Sequence, residues 1–392
     1  MIKKKITSFI NKTLDPQFKY GNKTLYLSIV ICFSLIAYYN LSLGFFMSPD
    51  SHDYSQWADD LIKLDFNLYN FYFYNTFFTP SYMYTVPVVL IALSKFFFGA
   101  SWQYVILSIN FILLFFSLII FSKTLLLTKV RPILIAFTLL TLTLSVDLLT
   151  WPRYILTDTI FSFFVMLAVY LVVKSIIREK FYFFFLISLT AIMFLTRPTS
   201  LPFIFTIWIF ILLYKSQIDY TPRFIVLIIF SLVVIIPIIF SILHHLIEIY
   251  LVNNTQADFI LKYANKGIVV LARPETFIQP PITFIDNVYL YLVKIIIFFK
   301  PYATKYSIIH TILNTFQIFL IVLSIATWSY LNENIKIINK TFLFILLLSL
   351  SVSSFHSFTI IDFDWRYRFP IILPLIMLLP ISIEILIRNI NR

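Results

Sequence analysis

The chain has 392 residues, 60% of them hydrophobic and 12% charged, with a mean hydropathy of +0.92. So few polar groups cannot cover a water-soluble fold of this length, which excludes a soluble globular domain and makes the bilayer the solvent. The 30 Lys and Arg against 18 Asp and Glu leave a net charge of +12; in a membrane protein this excess reads as an orientation signal, and no nucleic-acid partner is needed to explain it.

Apolar runs of roughly 17–25 residues, the length an α-helix needs to cross hydrocarbon, recur along the sequence. The expected fold class is all-α: a polytopic transmembrane helix bundle of about ten spans with juxtamembrane helices, forming a single transmembrane domain over 1–392. Spans are expected at 24–46, 102–122, 132–150, 157–175, 181–196, 199–214, 223–243, 303–331, 341–360 and 368–387. The first run is longer than a signal-peptide core and lacks a small-residue cleavage site, so it reads as a retained helix. This map gathers the clusters Lys3 to Lys5, Lys123 with Lys129 and Arg131, Lys174 with Arg178 and Lys180, and Arg388 with Arg392 on the cytoplasmic side, with both termini. The single cysteine, Cys32, leaves no intrachain disulfide. With 4 glycines against 45 phenylalanines, the helices cannot rely on small-residue contacts, and a carrier hinged on unwound glycine-rich helices is disfavoured.

Two long connections, 47–101 and 244–302, are expected outside, and long connections commonly carry function. Within the first, 80–98 is long enough to cross. Crossing would move the basic clusters at 123–131 and 174–180 outside, so it reads as a helix lying at the outer interface. The stretch 284–300, interrupted by Lys294 and ended by Lys300 and Pro301, has the same character.

Chemistry-bearing residues gather at the outer helix ends. After the first run comes SPDSHDYSQWADDL, where Asp50, Asp53, Asp59, Asp60 and Asp65 form the densest acidic segment. Residues 51–64 can form a short helix with Tyr54, Trp57 and Leu61 on one face. A carboxylate held there beside the membrane exit, preceded by Pro49, suits a general base; a solvated acidic loop is the plain alternative. Next is SVDLLTWPRYILTDTIF, with Asp147, Arg153 and Asp158. Asp158 opens a helix that Thr157 could cap, and Asp147 is the expected partner of Arg153. In FLTRPTSLP, Arg197 either snorkels to the surface or holds a phosphate. In DFDWRYRFPIILP, Arg366 and Arg368 flank Tyr367 and suit bidentate phosphate binding, with Asp362 and Asp364 as alternative neutralising partners. His244, His245 and Glu248 read as interfacial residues, and His52 beside Asp50 is a further candidate ligand. No HExxH motif or cysteine cluster is present, so no metal site is assigned, although a divalent metal stays open as a cofactor. Without a Walker loop, nucleophile elbow or dinucleotide fingerprint, energy must come from an activated substrate or a gradient.

The ordered set PDSHDY at 49–54, KFFFGASW at 95–102, LTD at 156–158, TRP at 196–198 and RYRFPIILP at 366–374 resembles the polyprenyl-phosphate-dependent GT-C glycosyltransferases, which include protein O-mannosyltransferases and aminoarabinose transferases. The resemblance implies an inverting transfer of a sugar from a polyprenyl-phosphate donor. Asp50 would be the catalytic base and Asp158 the second acidic residue of the outer cavity. Donor or acceptor would be bound by His52, Asp53, Tyr54, Arg153, Arg197, Arg366, Tyr367 and Arg368. It also implies a bacterial inner-membrane location with an extracytoplasmic site, and a lipid, glycan or protein acceptor. Many members have two adjacent acidic residues where Ser51 follows Asp50, and many carry a large soluble carboxy-terminal domain that is missing from this sequence, which points to a small or lipid-linked acceptor. An O-antigen polymerase or flippase, or a secondary transporter, is the competing expectation.

Overall fold

The structure is a computed structural model that describes residues 21–74, 81–178, 182–215, 284–302, 307–331, 336–358 and 365–390. The expected helix at 223–243, the histidine pair with Glu248, Asp362 and Asp364, and most of the second long connection lie outside these residues. Among the described residues the regular elements are helical, apart from one bridge between Phe46 and Tyr154.

Among the described residues fifteen α-helices follow in chain order. They are α1 Gly21–Leu43, α2 Pro49–Lys63, α3 Leu68–Tyr74, α4 Thr85–Phe98 and α5 Trp102–Leu127. Then come α6 Pro132–Leu142, α7 Val146–Thr150, α8 Asp158–Arg178, α9 Phe183–Phe194 and α10 Leu201–Lys215. The last are α11 Phe284–Phe298, α12 Ile308–Leu331, α13 Lys336–Phe358, α14 Trp365–Ile376 and α15 Leu378–Ile390.

Among the described residues six helical runs are long and apolar enough to cross a membrane, or seven if the bent pair α6–α7 counts as one. This makes the molecule a helical membrane bundle, with fewer qualifying spans among the described residues than the ten expected. The reasons are local. The expected span 132–150 is broken by 56° between α6 and the run Val146–Arg153. The expected spans 181–196 and 199–214 are shorter apolar helices, separated where Arg197 precedes Pro198, because the residue before proline is pushed out of the helical region.

Burial ranks the helices. The run Arg366–Ile390, 83% buried over its most apolar stretch, is central, whereas α12 at 17% is peripheral and turns Ile309, Ile312, Phe319 and Val322 outward. In water such exposed side chains would favour aggregation; against lipid they cost nothing. The main core joins α1, α5, α6, α8, α13, α14 and α15 through residues such as Ile36, Phe121, Leu139, Phe161, Phe344 and Met377.

The run Tyr82–Leu127 is 46 residues long. A straight helix of that length would extend roughly 69 Å, over twice the hydrocarbon thickness. It turns instead at Gly99, whose φ of +52° is a conformation that glycine adopts without strain. Helix α4 then packs along α2, burying Val88, Ile91 and Ala92 against Tyr54, Trp57, Ala58 and Leu61. Lys95 fastens the corner: its Nζ lies 2.7 Å from Asp59 Oδ1, donates to Ser55 and stands over the Trp102 ring. At the other end of α4, Val86 N–H donates to the Leu195 carbonyl just past α9. Helix α4 is therefore tied to α2 at one end and to the chain just past α9 at the other. The end of α5 remote from Gly99 is marked by Arg388, which bonds Glu384 and the Lys129 carbonyl.

Candidate functional site

Each acidic group of the site is placed by local backbone chemistry. Ser48 caps α2 with a reciprocal Ser48/Ser51 capping box, and Pro49 fills the first helical position. These fix Asp50 in the first turn, where a carboxylate is favoured by the helix dipole. Tyr54, Trp57 and Leu61 form the buried face, matching the spacing read from the sequence. Asp158 opens α8, and the irregular strand of chain before it is stitched to the end of α1: Phe46 N–H donates to the Arg153 carbonyl, and Ile155 N–H donates to the Phe46 carbonyl. Asn110 of α5 adds bonds to the carbonyls of Pro152 and Tyr154, and Asn40 of α1 adds one to that of Leu148. These contacts bring the first turn of α8 beside α2.

The first turn of α14 completes the arrangement. Arg366 Nη1 lies 2.5 Å from Asp50 Oδ2, and its Nε lies 3.1 Å from Asp158 Oδ2. The other oxygen of Asp158 accepts from Arg197 Nη1. Four groups thus run inward with alternating sign: Asp50, Arg366, Asp158, Arg197. Exposure falls along the row, from 44% of the Asp50 side chain to 1% of Asp158 and 3% of Arg197. Taking such charges out of water costs several kcal/mol each, which only close pairing offsets.

Aromatic rings wall the row. Tyr367 lies 5.0 Å from the Arg197 guanidinium and 4.5 Å from the His356 ring. Tyr54, Trp57 and Tyr84 form a cluster with centroid separations of 5.3 to 5.7 Å. Burial holds the Tyr54 phenol well above its usual range; Tyr84 and Asp50 push the same way, while Arg366 and Arg197 oppose. The phenol therefore stays protonated and can donate a hydrogen bond.

A second ion pair lies deeper. Arg368 Nη2 is 3.2 Å from Asp147 Oδ2 and 3.5 Å from Asn314 Oδ1 of α12, with all three residues almost fully buried. This corrects the expectation that Asp147 serves Arg153, whose guanidinium stacks instead on Phe46 and Tyr154. It also moves Arg368 away from the surface that a phosphate could reach. Arg197 neither snorkels nor stands exposed: it is 2% accessible and bonded to Asp158. Ion pairing across helices wins over snorkelling because helix ends with opposite charges meet here.

The structure joins Asp50, Asp158, Arg197, Arg366, Tyr367 and Tyr54 in one locality. His52 and Asp53 lie on the exposed face of α2. Asn314 and His356 were not singled out by sequence; a polar amide in an otherwise apolar run was the available signal for the first. Among the described residues no group of three or more His, Cys, Asp or Glu could hold a metal ion. The two carboxylates of the site, Asp50 and Asp158, are bridged by the Arg366 guanidinium, so this donor set does not fit a divalent cation. An apolar crevice lined by Thr141, Ser145, Leu313, Gln317 and Ile376 shares no residue with the charge row. Comparison with known proteins finds no matching family model, no matching curated protein and no matching solved structure.

Proposed function

We propose that the protein is an inverting, GT-C-like glycosyltransferase that takes a sugar from a polyprenyl-phosphate carrier at the extracytoplasmic end of the bundle. The observation that carries this reading is the row Asp50–Arg366–Asp158, which sets a half-exposed carboxylate against a fixed guanidinium at the end of a membrane bundle. Displacing a phosphate from an anomeric carbon needs the leaving group's charge stabilised and the acceptor's proton removed. Arg366 supplies the first and Asp50 the second. The acceptor oxygen bonds to the anomeric carbon as the bond from that carbon to the phosphate oxygen breaks. The electron pair leaves on the phosphate beside Arg366, and the acceptor proton passes to the Asp50 carboxylate. Asp158 and Arg197 position Arg366 and do not touch the substrate.

The test is binding and turnover by the purified chain in lipid nanodiscs. A long-chain polyprenyl phosphate, the leaving group common to all such donors, should bind, and Arg366→Gln should abolish that binding. Absence of saturable binding by the wild type would end the reading. A secondary transporter is the second reading, favoured by the broken pair α6–α7 next to the buried Asp147–Arg368 pair, since interrupted helices commonly frame transport sites. Uptake by proteoliposomes driven by an ion gradient, with no lipid-phosphate binding, would select it.

A further inference from the structure

Arg366 is shared by two carboxylates that differ in what they could do if the guanidinium were taken away. Asp158 is 1% exposed and lies between Arg366 and Arg197; losing a partner would strand its charge in a dry interior. Asp50 is 44% exposed and sits in the first turn of its own 15-residue helix. Released from Arg366, it keeps both solvent and the favourable N-terminal dipole. The Nε edge of Arg366 is therefore the fixed edge, and Nη1 is the exchangeable one.

The donor's phosphodiester carries one negative charge on two free acceptor oxygens, which lets it compete with a single solvated carboxylate for the guanidinium, and the monoester left after transfer carries close to two charges and binds there more strongly. While Arg366 holds Asp50 Oδ2 at 2.5 Å, that oxygen's lone pair is directed at the guanidinium and is not turned to an acceptor hydroxyl. We propose that Asp50 is a placeholder for the phosphate: an entering lipid phosphate takes its position on Arg366 Nη1, and this exchange turns the Asp50 carboxylate out to the acceptor. Donor binding then precedes acceptor activation, and without donor the base stays neutralised. The inference rests on the transferase reading. It adds that the residue removing the proton competes with the donor in the resting state.

Competition has a sign that ordinary site residues do not share. Removing Asp50's charge should strengthen phosphate binding, although the same change lowers turnover. The experiment measures the affinity of a long-chain polyprenyl phosphate for the full chain in nanodiscs, for wild type, Asp50→Asn, Asp50→Ala and Asp60→Asn. The last removes a charge from the same helix at a residue paired with the exposed Lys63. Loss of a charge-assisted competitor should tighten binding about tenfold in both Asp50 variants, with Asp60→Asn within about twofold of wild type. Unchanged or weaker binding in both Asp50 variants would overturn the exchange while leaving the transferase reading intact. Equal tightening in Asp60→Asn would also overturn it, because the effect would then be general electrostatics. If the wild type binds no polyprenyl phosphate, the transferase reading falls first and the exchange with it. Near-wild-type melting temperatures for the two Asp50 variants, expected at this half-exposed position, keep the comparison interpretable.

Discussion

Arg366 and Arg368 are two residues apart in the first turn of α14, yet they turn to different carboxylates: Arg366 to Asp50 and Asp158, Arg368 to Asp147. Two steps along a helix rotate a side chain by about 200°, so neighbours in sequence become opposite faces. One arginine faces the accessible end of the site, while the other is locked between α7 and α12.

This difference predicts opposite phenotypes. Arg368→Met or Asp147→Leu alone should destabilise the protein by about 3–5 kcal/mol, because each leaves a buried charge without its partner, whereas the double replacement should recover most of that loss. Thermal unfolding of the four proteins in detergent measures this. An additive double mutant would show that the two side chains act independently.

For catalysis, Asp50→Asn should lower turnover by about a hundredfold or more, the scale of general-base loss. Its effect on stability should stay below about 1 kcal/mol, because the side chain is nearly half exposed and its ion pair is screened. Donor turnover at saturating substrate, beside a melting curve, separates the two. Retained turnover would remove Asp50 from the mechanism.

Much of this was legible in the sequence where a physical rule acts locally. The amphipathic face of α2 follows from the spacing of Tyr54, Trp57 and Leu61, and Asp158 begins α8 as its position before an apolar run implied. Partner choice was not legible. Asp147 and Arg153 are near in sequence, but the chain around 147–157, stitched to Phe46 and Asn110, aims Asp147 at α14, a contact between residues 221 apart. The break between α9 and α10 was legible, because the Arg197–Pro198 step carries a clear stop signal and divides the expected spans there. The break that shortens α6 was hidden: the α6–α7 bend falls in a run of threonines, leucines and serine that reads as continuous helix.

The corner at Gly99 gives a backbone prediction. Nothing lies within 4 Å of where a Cβ would stand, so Gly99→Ala meets no clash, only the strain of a positive φ. Such strain costs about 1–2 kcal/mol, and it should appear as a lowered melting temperature with the Lys95 to Asp59 clamp still in place. An unchanged melting temperature would show that the turn is made in another way.

Orientation can be read with cysteines, because the native Cys32 is fully buried and silent. In the proposed topology Ser101→Cys, beside the α4–α5 corner, should react with an impermeant maleimide added outside. Lys123→Cys, exposed near the far end of α5, should react only after permeabilisation. The reverse pattern would invert the bundle, and reaction of both from outside would deny that α5 crosses.

The alternating row has one more consequence, which concerns kinetics at long range. Two aspartates and two arginines packed within ion-pairing distance cancel at a Debye length of about 8 Å, so this cluster projects little field into the surrounding headgroup layer. An anionic lipid would not be steered to it from afar; it would arrive by two-dimensional diffusion in its leaflet and sense charge only when in contact. The rate of capture should therefore change little between low and physiological ionic strength, in contrast to binders that recruit anions with an uncompensated basic patch.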